Sequence, residues 1–124
     1  MTDQPGERRR RGEETWKEVM VKAPPAAATP YKAAGILDFV FSEMWSRPGL
    51  TRKERRFITI SCVAAVGQPG PIRSHLRAAL ESGDIQTDEL REFVLHFAVY
   101  CGWPAASTVE AMLGELEEEF GSGA

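Results

Sequence analysis

Two histidines and a few arginines and acids are the chemically versatile side chains of this 124-residue chain. His75 follows Ile72 by three residues and precedes Leu76, at the border of an apolar helical stripe. An imidazole there is either a proton donor or acceptor near neutral pH, or a structural histidine satisfied by a backbone carbonyl. Arg55 sits one turn inside a helix that opens at Thr51, and Arg47 precedes that helix. Their guanidinium groups either hold a carboxylate near a helix N-terminus, where an anion is already favoured, or are solvated. Glu54 is a candidate general acid or base, and equally the third residue of a capping box begun by Thr51. His96 shares a helix face with Glu92 at i−4, Tyr100 at i+4 and Trp103 at i+7. That polar and aromatic stripe suits a pocket wall or interface packing, and lies beside the apolar stripe of Leu90, Phe93, Val94, Phe97 and Cys101.

Helices must position these groups, because apolar residues recur at three- and four-residue steps and no alternating strand pattern is present. A short helix is expected over residues 13–21. The KAPPAAATP stretch of residues 22–30 reads as an extended connector. Residues 31–45 repeat the helical period through Ile36, Phe39, Val40, Glu43 and Met44. The run Ser46-Arg47-Pro48-Gly49 breaks it. From Phe57 to Val66 the next helix is apolar on nearly every side, which suits the middle of a bundle or a subunit interface. Pro71 suits the first position of the following helix, and Gly83 supplies its stop. Thr87 is the expected N-cap of a helix reaching Cys101, with Asp88 and Glu89 favourable at its positive end. Gly102 ends that helix, and Pro104 begins the last one, to about Phe120. The reading is all-α: residues 1–12 a flexible basic tail, 13–120 a single domain of five to six helices, 121–124 a flexible end.

Composition narrows the function. Acidic residues outnumber basic ones, 18 to 15, so general nucleic-acid binding is disfavoured. No apolar run approaches the ~20 residues of a membrane span, and no secretory signal precedes the domain; a cytoplasmic protein is expected. Cys62 and Cys101 form no CxxC pair and are expected as buried free thiols. Two histidines without a third ligand give no metal spacing, and no nucleotide-binding glycine loop is present.

Three stretches, read together, resemble one family. WSRPGLTRKERRFITI (residues 45–60) is similar to its W-x-R-P-G-L motif with a following arginine and apolar helix. HLRAALESG (75–83) resembles its H-x-R-A-A turn, and AVYCGWPAA (98–106) its A-I-Y-C-G-x-P-A-A. The family is that of gamma-carboxymuconolactone decarboxylase, and the resemblance covers about residues 36–112. It implies an alkylhydroperoxidase D-like helical bundle assembled as a homotrimer or homohexamer. It also implies cofactor-free loss of CO2 from a small anionic substrate, 4-carboxymuconolactone, in aromatic catabolism. Carried over by position, His75 and Arg55 take the family's histidine and arginine, with Glu54 beside them. Arg47, His96, Tyr100, Cys101 and Trp103 are the expected substrate-binding positions. The chain departs from the pattern at His96, where glutamine is usual, at Glu81-Ser82, at Pro71-Ile72 and in a longer turn after Gly83. No cysteine lies upstream of His75 where the superfamily's CxxC peroxidases carry their pair, so thiol peroxidase chemistry is not expected. Two alternatives stand beside the decarboxylase: a non-catalytic oligomeric ligand-binding or interaction module of the same fold, and a family enzyme with a different substrate.

Overall fold

The computed structural model describes residues 5–122. Among them are six helices and no strand: α1 (Pro5–Met20), a π-helix (Tyr31–Met44), α2 (Arg52–Val66), α3 (Pro69–Ser82), α4 (Thr87–Cys101) and α5 (Trp103–Ser122). The all-α class expected from the helical period is therefore the observed one. The helices group into two compact units, Met1–Arg52 and Lys53–Ala124, where the sequence reading drew one domain over 13–120. No helix among the described residues is long and apolar enough to cross a membrane.

The first unit corrects the reading of the basic tail. Residues 5–12 are the first half of α1, while the expected flexible ends at 1–4 and 123–124 lie outside the described residues. Residues 121–122 still belong to α5. The arginine run is helical because the π-helix answers it with acceptors. Arg9 donates through Nε to Asp38 Oδ1 at 2.6 Å and through Nη2 to Oδ2 at 3.0 Å, a two-pronged geometry that suits a planar guanidinium. Arg8 pairs with Glu43, and Arg11 donates to Ser42 Oγ at 3.2 Å. Between these contacts the two backbones nearly touch. A Cβ on Gly12 would lie 2.0 Å from the carbonyl oxygen of Leu37. Beyond that point Val19, Met20, Phe41 and Trp45 form a small core, with the Trp16 and Phe41 rings 4.7 Å apart.

The second helix of this unit is wound with i→i+5 bonds, and at its end the Trp45 N–H still donates five residues back, to Val40 O at 3.0 Å. That wider winding shifts the buried stripe to Leu37, Phe41 and Ser42. Phe39 and Met44, expected inside from the 3.6 period, are 54% and 41% exposed.

In the second unit α2 and α3 are joined by a tight turn at Gly67, whose φ of +79° favours glycine. At the far end of the pair, Arg56 Nε donates to Asp84 Oδ2 at 2.8 Å. Joined at one end and tied at the other, the two helices run antiparallel. α3 starts at Pro69, two residues before the Pro71 expected to open it, since either proline suits a position that needs no N–H. Gly83 closes it in the left-handed conformation, φ +79°. The N-cap of α4 is Gln86, not Thr87: its N–H donates to Glu89 Oε1 at 2.9 Å. α4 and α5 turn at Gly102 and are tied by Arg91, which pairs with Glu110 and Glu117. One core, containing Ile60, Leu76, Leu90, Val94 and Leu113, is shared by all four helices.

Within this chain α2 is not enclosed on every side, as the middle of a bundle, one of the two places its composition suited, would require. It buries Arg56, Ile60 and Ala64 and leaves Ile58 and Val66 51% and 70% exposed. Cys62 and Cys101 are free and exposed, not buried, because each lies off the inward line of its helix, Ile60–Ala64 in α2 and Val94–Ala98 in α4.

Candidate functional site

The candidate residues fall into two sets within the second unit, with Arg47 exposed in the first. On the α2–α3 hairpin, His75 is half-buried in the second turn of α3, beside the inward residues Ile72, Leu76 and Ala79. Arg55 is half-buried in the first turn of α2, and Glu54 next to it is exposed. Arg47, Glu54, Arg55 and His75 each have an interaction partner in the structure. The neighbouring Arg56, which sequence reasoning did not single out, is 1% exposed at its side chain and bound to Asp84. Its signal was spacing: Arg56, Ile60 and Ala64 follow one another at four-residue steps, so the guanidinium takes an inward position that apolar side chains fill elsewhere.

The second set lines a groove of about 690 Å³ between α2 and α4, a volume in the usual range for small-molecule sites. Phe57 and Ser61 form the α2 side, and His96, Tyr100 and Cys101 lie on the α4 side. The rings of His96 and Tyr100 stack at 5.3 Å and 17°. Phe93 and Phe97, 5.5 Å apart, continue the aromatic wall, and Phe57 faces Phe93 at 6.1 Å. Sequence reasoning read Phe93 and Phe97 as core alone. Both also line the groove while packing on the core.

Two acids complete the lining, Glu89 and Glu92, and among the described residues no lysine or arginine lines the groove. The Gln86 N–H, and after it the Lys53 ammonium, hold the Glu89 carboxyl below the usual carboxylate range. That acid is thus already committed to the α4 N-terminus and to Lys53. His75, Arg55 and Glu54 do not line this groove. Trp103 lies apart from His96, at a smaller hollow of about 310 Å³ beside Arg91, Leu95 and Glu110. Among the described residues no group of three or more His, Cys, Asp and Glu side chains is placed to hold a metal ion.

The groove and the hairpin differ in chemistry. The groove offers aromatic faces, two carboxylates and the His96 imidazole, and among the described residues no lysine or arginine. The hairpin offers the Arg55 guanidinium on one helix and the His75 imidazole on the other, group types that suit anion binding and proton transfer.

A family model described as the carboxymuconolactone decarboxylase family matches residues 30–115. The chain is 40% identical over 83 residues to 4-carboxymuconolactone decarboxylase of Acinetobacter baylyi, covering 67% of this chain and 61% of that protein. It is 40% identical over 91 residues to nitrosuccinic acid decarboxylase of Metarhizium robertsii, covering 69% and 60%. The chain thus spans about three fifths of the length of these relatives. A crystal structure of a candidate carboxymuconolactone decarboxylase from Burkholderia xenovorans LB400 has the same fold, with a TM-score of 0.68 at 21% identity. That match covers 98% of this chain and 99% of the other.

Proposed function

The chain belongs to the carboxymuconolactone decarboxylase family, and on that premise we propose that it removes CO2 from a small acid bearing at least two carboxylates and an electron-withdrawing group. The observation that carries this reading is the 40% identity to two relatives that share a reaction type while being named for different acids. Their named substrates are alike in chemistry. Each has a carboxyl group to lose, a further carboxylate, and a group that can take up an electron pair, a lactone in one and a nitro group in the other. A carboxymuconolactone is the first candidate here, and other lactone, keto or nitro acids are the alternatives.

In this reading the bond from carbon to the departing carboxylate breaks, its electron pair moves into the acceptor group, and CO2 leaves. The acceptor belongs to the substrate, so this chemistry needs no added electron sink. Arg55 holds the retained carboxylate or the developing oxyanion through charge-assisted hydrogen bonds. His75 then gives a proton to the carbanionic carbon, a contribution of about 10²–10⁴-fold. The turn-by-turn winding of the hairpin supports the pairing. At about 100° per residue, Arg55 and Thr59 face one flank of α2, while Phe57 and Ser61 face the groove on the other. In α3, His75 stands off the buried line of Ile72, Leu76 and Ala79, and this reading sets it on the flank shared with Arg55. The remaining wall of such a site comes from outside the second unit, and a homotrimer or homohexamer supplies it in this reading.

The test is CO2 release by purified protein from 4-carboxymuconolactone, nitrosuccinate and a short panel of related acids. Turnover of at least one acid that falls by two or more orders of magnitude in a folded His75→Ala variant supports the reading. Full turnover by that variant removes His75 from the mechanism, and no turnover of any of the acids removes the activity.

A further inference from the structure

The α2–α4 groove has the wrong charge for the acid just proposed, and a definite preference of its own. Its walls present the faces and edges of Phe57, Phe93, Phe97 and Tyr100, with the His96 ring stacked on the last. Aromatic faces are electron-rich and attract cations. Of the two acids that line it, Glu89 is engaged by Lys53 and the Gln86 N–H. Glu92, by contrast, makes no ion pair among the described residues and is exposed at the groove. Among the described residues no lysine or arginine lines the cavity to balance it, and the His96 imidazole is engaged in the stack with Tyr100. A dicarboxylate entering here meets the Glu92 carboxylate and a set of π-faces, with no lysine or arginine to hold it.

We infer that this groove is a second binding site, separate from the hairpin of His75 and Arg55, for a flat aromatic molecule that carries a positive charge. The ring lies against Phe93, Phe97 and Tyr100, and the cation rests toward Glu92. The roughly 690 Å³ of space admits one ligand of drug-like size. The occupant is committed by charge. A second copy of this chain or a hydrophobic peptide would also cover the aromatic wall, but neither requires the unpaired carboxylate.

Benzyltrimethylammonium and phenylacetate share a benzyl group and differ in the sign of their charge, so they serve as probes. Chemical-shift titration of the full chain is expected to show the cation binding about tenfold more tightly than the anion, with shifts centred on residues 92–101. Glu92→Gln weakens the cation about two- to fivefold and leaves phenylacetate unchanged or slightly improved. Tyr100→Ala weakens the cation to a similar degree. Glu92 is exposed and Tyr100 is 80% exposed, so both variants should fold, which a thermal melt checks. Equal or tighter binding of phenylacetate overturns the inference, as does a Glu92→Gln protein with unchanged selectivity. Cation binding that disappears as protein concentration rises overturns it in favour of a second copy in the groove.

Discussion

Alanine at position 12 should destabilise the first unit, although helix propensity alone says the opposite. Replacing a mid-helix glycine by alanine normally stabilises by up to about 1 kcal/mol. Here the new Cβ would lie 2.0 Å from Leu37 O, 2.7 Å from Leu37 C and 3.2 Å from Leu37 Cα, all backbone atoms that no rotamer change can move. The nearest contact falls short of ordinary van der Waals distance by more than an ångström, so α1 and the π-helix must separate. Separation pulls on the Arg9–Asp38 bonds one turn away and opens the small core around Phe41. Overpacking of this kind costs about 1–3 kcal/mol, and the rigid backbone on the far side favours the upper part of that range. Net of the propensity gain, a loss of about 1–2 kcal/mol is expected, equivalent to a drop of roughly 4–16 °C in Tm for a unit of this size. Trp16 and Trp45 report on this unit by fluorescence, and Trp103→Phe silences the third tryptophan. Gly114→Ala is the control. It lies within α5 with nothing within 4 Å of the added Cβ, and should stabilise the second unit by about 0.5–1 kcal/mol. A Gly12→Ala protein that melts at or above the parent temperature refutes the close approach.

Other outcomes are expected. Arg9 holds the Asp38 carboxyl below its ordinary range, chiefly by hydrogen bonding. Because the folded value is depressed, this stabilisation is complete above the unfolded value near 4 and is lost as pH falls through the folded one. The acid limb of a melting-versus-pH curve should therefore flatten in Asp38→Asn, with no matching change at alkaline pH, since arginine stays charged. Asp84→Ala removes a charged partner from the buried Arg56 and should cost the second unit about 1.5–3 kcal/mol in denaturant titrations. His75→Ala should lower kcat for CO2 release by about 10²–10⁴-fold while KM changes little. Arg55→Lys keeps the charge but loses the planar fork, so kcat/KM should drop by about tenfold or more, and wild-type kinetics there would argue against carboxylate binding at that position.

How far the sequence could be read depended on whether its signals were local. Gly83 and the apolar stripe of α3 are local, and the helix with its left-handed stop lies where they indicate. The arginine run of residues 8–11 has no apolar stripe and reads as a tail. What makes it helical are Asp38, Ser42 and Glu43, some thirty residues away, and pairing over that distance leaves no periodic trace. The π-helix leaves none either: 3.6-residue counting put Phe39 inside, and the i→i+5 winding turned it outward. Arg56 was hidden in the charged run TRKERR, where an arginine reads as solvated, although its spacing to Ile60 and Ala64 indicated an inward side chain. Among the site candidates, His96 and Tyr100 share one wall, as their spacing allowed, and Cys101, read on the apolar stripe, joins them there. Glu92 was legible on that face; what was not is that α2 sets Phe57 and Ser61, and no basic residue, across from it.

The wide winding of residues 31–44 also makes that segment sensitive to length in a way an ordinary helix is not. A chain wound with five-residue closures holds more residues per turn for the same rise, so loss of a single residue invites it to relax to the common form. Such a deletion would rotate every later side chain, swinging Ser42 and Glu43 away from Arg11 and Arg8 while leaving composition and overall helicity almost untouched. Point substitutions along the segment should be absorbed far more readily than one-residue indels, and an exchange of the whole segment with a relative should succeed only when its residue count is kept.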